Sequence, residues 1–219
     1  MTFANKKLLG LMLVAVTLGA SLSACVPLVV GGAAVVGTMV VIDRRTSGVQ
    51  LDDQNLELSA TAGVSNKFGD RVHVNITSYN FRVLLTGEVP TLQDKQLVEQ
   101  IVTSQKHVKS VVNELAVMGN SNLSQRSNDS WLTGRVKASL LDTKDLNVNA
   151  FKVVTERGIT YLMGLVTQRE ADRGTEIARS VSGVQKVVRV FEIISEEELR
   201  ALSPPPAPAS APASAPANQ

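Results

Sequence analysis

The 219-residue chain is 44% hydrophobic and carries 22 Lys and Arg against 20 Asp and Glu, a formal charge of +2. Lys6 and Lys7 are the only charges in residues 1–24, so the remainder balances at 20 basic and 20 acidic side chains. That balance argues against a nucleic-acid-binding protein, which needs a broad excess of cations to neutralise phosphates. A single Cys excludes a disulfide framework, and two His with no Cys partner and no ligand spacing provide no metal motif.

Residues 1–24 place Lys6 and Lys7 before an apolar run and end in Leu22-Ser23-Ala24. Charge, a short apolar core and small residues make a secretory signal. With Cys25 the last four residues resemble the bacterial lipobox, which implies a covalent lipid on Cys25. Val26, where inner-membrane retention would typically show Asp, implies sorting to the periplasmic face of the outer membrane. Residues 26–42 are apolar but hold Pro27, Gly31, Gly32 and Gly37. Three glycines and a proline make a poor helix, so residues 25–49 are read as a lipidated tether, with a spanning helix as the alternative because 17 residues touch the lower transmembrane limit.

The chain then says nearly the same thing twice. Leu56, Ala60 and Val64 match Leu132, Val136 and Leu140, and Val108, Val111 and Val112 match Val184, Val187 and Val188, all at an offset of 76, whereas Gly87 and Gly164 are 77 apart. A one-residue gain and a one-residue loss reconcile the alignment, and two copies are too few for a solenoid. In the first copy a helix is predicted over residues 55–68 and strands over 71–77 and 81–89. A helix capped by Thr91 and a strand over 111–117 complete it. The second copy repeats the order with a helix over 130–141, strands over 148–155 and 159–166, a helix over 168–181 and a strand over 187–194. Each copy is thus α-β-β-α-β with a three-stranded mixed sheet and two helices, an α/β (α+β sandwich) fold class. Gly87 and Gly164 are expected at close backbone approaches or positive φ, a structural role. The domains are residues 50–118 and 130–196, joined by a polar linker, 119–129. Residues 203–219, rich in Pro, Ala and Ser, form a disordered spacer.

Two such units, each with an apolar-Gly strand and a Val-x-x-Val-Val start to its last strand, resemble BON domains. Asn128-Asp129-Ser130-Trp131, Val154-Thr155-Glu156 and Leu162-Met163-Gly164-Leu165-Val166-Thr167 carry the resemblance, and the lipobox extends it to dual-BON outer-membrane lipoproteins. It implies a non-enzymatic protein that binds anionic phospholipid through its second BON domain, supports outer-membrane integrity and associates with division sites.

The residues offer their own test. Leu132, Val136 and Leu140 share one face of the second copy's first helix; Trp131, Gly134, Ala138 and Leu141 share another, flanked by Arg135 and Lys137. A Trp among small apolar residues with cations beside it suits a membrane interface. The first copy has Asn55, Leu58, Ala62 and Ser65 there, flanked by Ser59 and Thr61, so the fold itself does not demand the Trp or the cations. The stripe could instead pack against the first copy, an oligomer partner or another envelope protein, which would make the chain a lipid-tethered adaptor. Carboxylate pairs such as Asp52-Asp53 and the run Glu196-Glu197-Glu198 read as solvated charge. No G-x-S-x-G context or phosphate loop is present. The reading therefore has no catalytic residue, no small-molecule substrate and no cofactor beyond the lipid.

Overall fold

In the computed structural model, residues 43–202 are described; the signal sequence, Cys25, most of the tether and the Pro/Ala tail lie outside them. The first domain comprises α1 (Ser47–Phe68), β1 (His73–Tyr79), β2 (Arg82–Val89), α2 (Leu92–Thr103), β3 (Ser110–Asn113) and β4 (Ala116–Val117). The second comprises α3 (Leu123–Leu141), β5 (Phe151–Glu156), β6 (Ile159–Thr167), α4 (Gln168–Ser180) and β7 (Lys186–Ile194), followed by a short exposed α5 (Glu196–Leu202). In each sheet the middle strand pairs antiparallel with the strand before it and parallel with the strands after it. Both sheets are therefore mixed, as the repeat predicted.

Both first helices start earlier than their apolar spacing indicated, α1 by eight residues and α3 by seven. The reason is the same in each. The extra turns bury an aspartate, Asp53 in α1 and Asp129 in α3, instead of an apolar side chain, so hydrophobic periodicity does not register them. Much of the polar stretch read as a linker is consequently helix, and Asp53, read as solvated, is buried while Asp52 is exposed.

The two aspartates do the same work. Asp53 accepts the backbone N–H of Asn80 and of Phe81, each at 2.8 Å, and the Ser78 hydroxyl at 2.6 Å. Asp129 accepts those of Arg157 at 2.7 Å and Gly158 at 2.8 Å. Those residues are the centres of the two hairpin turns, and all four have positive φ, from 52° to 72°, the left-handed conformation that matches the twist of paired strands. Asn, Phe and Arg adopt it at a steric cost, which the buried carboxylate offsets by holding both turn donors. Asp53 and Asn80 are 27 residues apart and Asp129 and Arg157 are 28 apart, so the residue gained in the second copy lies between the helix and its hairpin.

The two glycines sit within the central strands, near their ends. A Cβ on Gly87 would collide with the His73 carbonyl, and one on Gly164 with the Ala150 carbonyl. Only Gly87 has a positive φ, 113°. Opposite it, the strand predicted over 111–117 is interrupted into β3 and β4, whereas β7, facing Gly164, runs unbroken.

Each domain packs its helices on one face of its sheet. Val83, Leu85 and Val89 of β2 join Leu56, Ala60, Val64, Val98 and Val102, while Leu162 and Val166 of β6 join Leu132, Val136, Leu140, Ala171 and Ala178. The alternate residues point the other way. Leu84 and Tyr79 of the first sheet meet Tyr161, Met163, Leu165 and Val190 of the second in a shared apolar cluster. The result is four layers, helix, sheet, sheet, helix, within one compact unit of the described residues. Lys152 reaches across to Glu57 at 2.6 Å and Asn80 to Glu192 at 2.7 Å. Two adjacent arginines clasp one domain each. Arg44 binds both oxygens of Glu170 at 2.7 and 2.8 Å and the Leu165 carbonyl, and Arg45 binds Asp43 and Asp53 and lies 4.0 Å over the Tyr79 ring.

Removing either turn-holding carboxylate leaves two backbone donors without their acceptor, at about 1–3 kcal/mol each. Asp53→Ala and Asp129→Ala should each lower unfolding free energy in urea by about 2–4 kcal/mol, while Asp52→Ala stays within about 0.5 kcal/mol of the parent. Glu170 yields a pH dependence. Burial alone would raise its pKa, but the Arg44 guanidinium and the Thr167 N–H outweigh burial and hold it below the ordinary 4.5. Its contribution is complete above the unfolded-state pKa and is lost as pH falls through the depressed folded-state pKa, where the unfolded chain binds the extra proton. Glu170→Gln should flatten the acid side of the stability profile below about pH 4.5, read as urea midpoints against pH.

Candidate functional site

Helix α3 opens on a capping box: the Asn122 side chain accepts the Gln125 N–H at 2.9 Å and the Gln125 side chain accepts the Asn122 N–H at 2.8 Å. Its inner face buries Asp129, Leu132, Val136 and Leu140. Trp131, Gly134, Lys137, Ala138 and Leu141 are all exposed, Trp131 to 60% and Leu141 to 69%. The stripe therefore does not pack against the first domain. Because the helix starts at Leu123, a further residue joins it. Leu123 is eighteen positions, five turns, before Leu141, so it lies on the same side of the wheel as Leu141, and it is 80% exposed. Leu123 thus adds an apolar residue at the N-terminal end of this 19-residue helix, about 12 Å before Trp131 at 1.5 Å per residue, with polar Ser127 and Ser130 on the face between them. Sequence periodicity missed Leu123 because the turns between it and Trp131 are polar.

The two cations differ in placement. The Arg135 guanidinium stacks 4.8 Å from the Trp131 ring and donates to the Ser182 carbonyl at 2.9 Å, so it is held beside the indole with its remaining donors available. Lys137 borders the other side of the stripe. It also lines a shallow groove with Asp43, Arg45, Tyr79, Asn149, Phe151 and Lys152. The point where the described chain begins, Asp43, is therefore next to this helix. In the first domain, Leu58 is equally exposed, at 69%, but Ser59 and Thr61 flank it and no cation does. Among the described residues no helix is long and apolar enough to cross a membrane.

A second cluster joins the two domains and was not legible from residue spacing. His73 of β1, Glu88 of β2 and Glu156 of β5 lie together, with His73 Nδ1 at 2.9 Å from Glu88 Oε2 and 4.0 Å from Glu156 Oε1. Ser121 gives its N–H and its hydroxyl to Glu88 Oε2 at 3.1 and 3.0 Å, and Asn75 donates to Glu156 Oε2 at 2.7 Å. Burial pushes the Glu156 carboxyl up despite the Asn75 bond. Burial acts the same way on Glu88, but the Ser121 and His73 bonds overcome it and hold Glu88 below its usual value. The sequence reading found no ligand spacing for His73; its carboxylate neighbours come from a paired strand and from the other domain. Ser121, His73 and Glu88 do not make a catalytic relay. The serine hydroxyl and the carboxylate both face Nδ1, at 3.4 and 2.9 Å, whereas a relay needs the two ring nitrogens to serve different partners. His107 is elsewhere, against the Phe81 ring.

Comparison with known proteins agrees with this architecture. The family model described as "BON domain" matches residues 56–119 and again 128–195, together more than half of the chain. "Outer membrane lipoprotein DolP" of Haemophilus influenzae is 38% identical over 184 residues, covering 82% of this chain and 95% of that protein. The "21 kDa hemolysin" of Actinobacillus pleuropneumoniae is 31% identical over 155 residues, 70% of this chain and 80% of that protein. A repeated α-β-β-α-β unit, two matches to one family model and a near full-length relative lead to one assignment: the chain belongs to the BON-domain family, as a dual-domain protein of the outer-membrane lipoprotein type.

Proposed function

We propose that this protein is a lipoprotein held by a lipid on Cys25 at the periplasmic face of the outer membrane. There the exposed face of α3 binds anionic phospholipid and the protein supports envelope integrity without catalysis, with enrichment at division sites as the dual-BON resemblance implies. The observation that carries the lipid reading is the face itself. Leu123, Trp131, Ala138 and Leu141 form an unburied apolar stripe with Arg135 stacked on the indole at one side and Lys137 at the other. An indole is favoured at headgroup depth, and guanidinium and ammonium groups meet lipid phosphate. The relative's printed name, an outer membrane lipoprotein, supports the address. The tether supports the orientation, because Asp43 enters the fold beside Lys137.

Magnitudes separate anchoring from orientation. Burying Trp131 and Leu141 contributes about 3–5 kcal/mol at ~25 cal/mol per Å², whereas two or more acyl chains already make attachment stable. The lipid holds the protein, and the helix sets which face meets the bilayer and which lipids it prefers.

Emission of the single tryptophan, in a soluble form beginning at Asp43, tests this reading. A blue shift with anionic vesicles and none with neutral ones is expected, weakened by salt and lost in Arg135→Glu/Lys137→Glu. Trp131→Ala should weaken vesicle binding on the order of 10- to 100-fold, and Leu58→Ala should leave it unchanged. Unaltered emission with every vesicle would sink the lipid reading and direct the search to a protein docked on the same face. In whole cells, Cys25→Ser should release the protein from the membrane fraction while Trp131→Ala stays there, which distinguishes the anchor from the orienting face.

A further inference from the structure

The seam between the two sheets is apolar at its centre, but at one rim it ends in His73, Glu88 and Glu156, two from the first domain and one from the second. One ligand-capable atom from each lies within 4.8 Å of the others. Zinc bonds of about 2.0–2.2 Å in tetrahedral geometry place neighbouring ligand atoms roughly 3.2–3.6 Å apart. The observed 2.9 Å from His73 Nδ1 to Glu88 and 4.0 Å to Glu156 bracket that spacing. Small rotations of three side chains therefore bring them onto one ion.

Two features go beyond the cluster itself. The Glu88 side chain is 1% exposed, and its Oε1 has no hydrogen-bond partner. The nearest cation, Arg157 Nε, is 3.7 Å away and is also without one. That oxygen is thus ion-paired with Arg157 but accepts no hydrogen bond, so it keeps a lone pair that a bound ion would use. Moreover, the outer partners that orient metal-binding carboxylates are in place: the Ser121 N–H and hydroxyl on Glu88 Oε2, and the Asn75 amide on Glu156 Oε2.

We propose that His73, Glu88 and Glu156 form a transition-metal site of the zinc class that bridges the two BON domains. One imidazole nitrogen with two carboxylates suits Zn²⁺ and its first-row neighbours, whereas Mg²⁺ and Ca²⁺ prefer all-oxygen shells with more ligands. Metal binding through Nδ1 replaces the His73–Glu88 hydrogen bond, and the ring hydrogen then resides on Nε2. The partial exposure of His73, 15% for its side chain, leaves a route for the ion and a position for water. Because the ligands come from both domains, the ion ties one to the other, a role independent of the lipid-binding reading and of α3.

The test is calorimetric titration of the chelator-stripped, detergent-solubilised full chain with Zn²⁺, and with Mg²⁺ as the contrast, alongside thermal melting. Uptake of one Zn²⁺ per chain is expected, with a melting temperature raised by several degrees and no response to Mg²⁺. His73→Gln and Glu156→Gln should abolish uptake, and Ser121→Ala should weaken it by about 10- to 100-fold. If His73→Gln melts early without metal, Glu156→Gln decides, since it is nearly isosteric and still accepts the Asn75 bond. Absence of zinc uptake by the stripped parent overturns the site. So does uptake and stabilisation that persist undiminished in Glu156→Gln, because the ion would then sit elsewhere.

Discussion

The packing of one sheet on the other is the constraint on which the rest of this structure depends. Each α-β-β-α-β unit can cover only one face of its sheet with its two helices, and a domain of about 70 residues is near the lower limit for a self-sufficient core. The outer faces of β2 and β6 carry Leu84, Tyr161, Met163 and Leu165, side chains that each contribute about 1.5–3 kcal/mol when fully buried. The units solve the problem mutually, each serving as the second cover for its neighbour. This explains why both central strands read as continuous apolar runs instead of alternating: both faces are buried.

That arrangement also decides which surfaces remain for function. With the sheets facing inward, the described helices lie outside, and α1 and α3 turn their uncovered sides to solvent. A helix whose outer side carries Trp131 and Leu141 in such a position has no internal reason to do so. Leu58 in α1 shows that a single exposed leucine is tolerated; the difference in α3 is the combination of an extended apolar face with Arg135 and Lys137 at its edges. The Arg44 and Arg45 clasps add that the chain enters the fold pinned to both domains.

The internal duplication works as a control throughout. Asp53 and Asp129 hold equivalent hairpin turns, which identifies them as requirements of the unit. Gly87 and Gly164 both make room for a neighbouring carbonyl, but only Gly87 takes a positive φ, and only the first domain's final strand is interrupted. Features present in one copy alone, such as Trp131 and its cations, or His73 with Glu88, belong to the whole protein instead of to the fold.

The sequence by itself determined the duplication, the order of elements, the mixed sheets and the stripe on α3. These depend on local periodicity, capping residues such as Thr91 and Thr167, and a comparison of the chain with itself. Only the tertiary structure decided that the stripe faces solvent, that Leu123 extends it, that the sheets share an apolar seam, and that His73 meets two glutamates. Buried polar residues are the common reason. Asp53, Asp129, Glu88 and Glu156 look in sequence like surface charge, because what neutralises or satisfies each one comes from a hairpin turn, a neighbouring strand or the other domain. A hydrophobic pattern records what each segment hides. It carries no record of which distant donor lets a charge be hidden too.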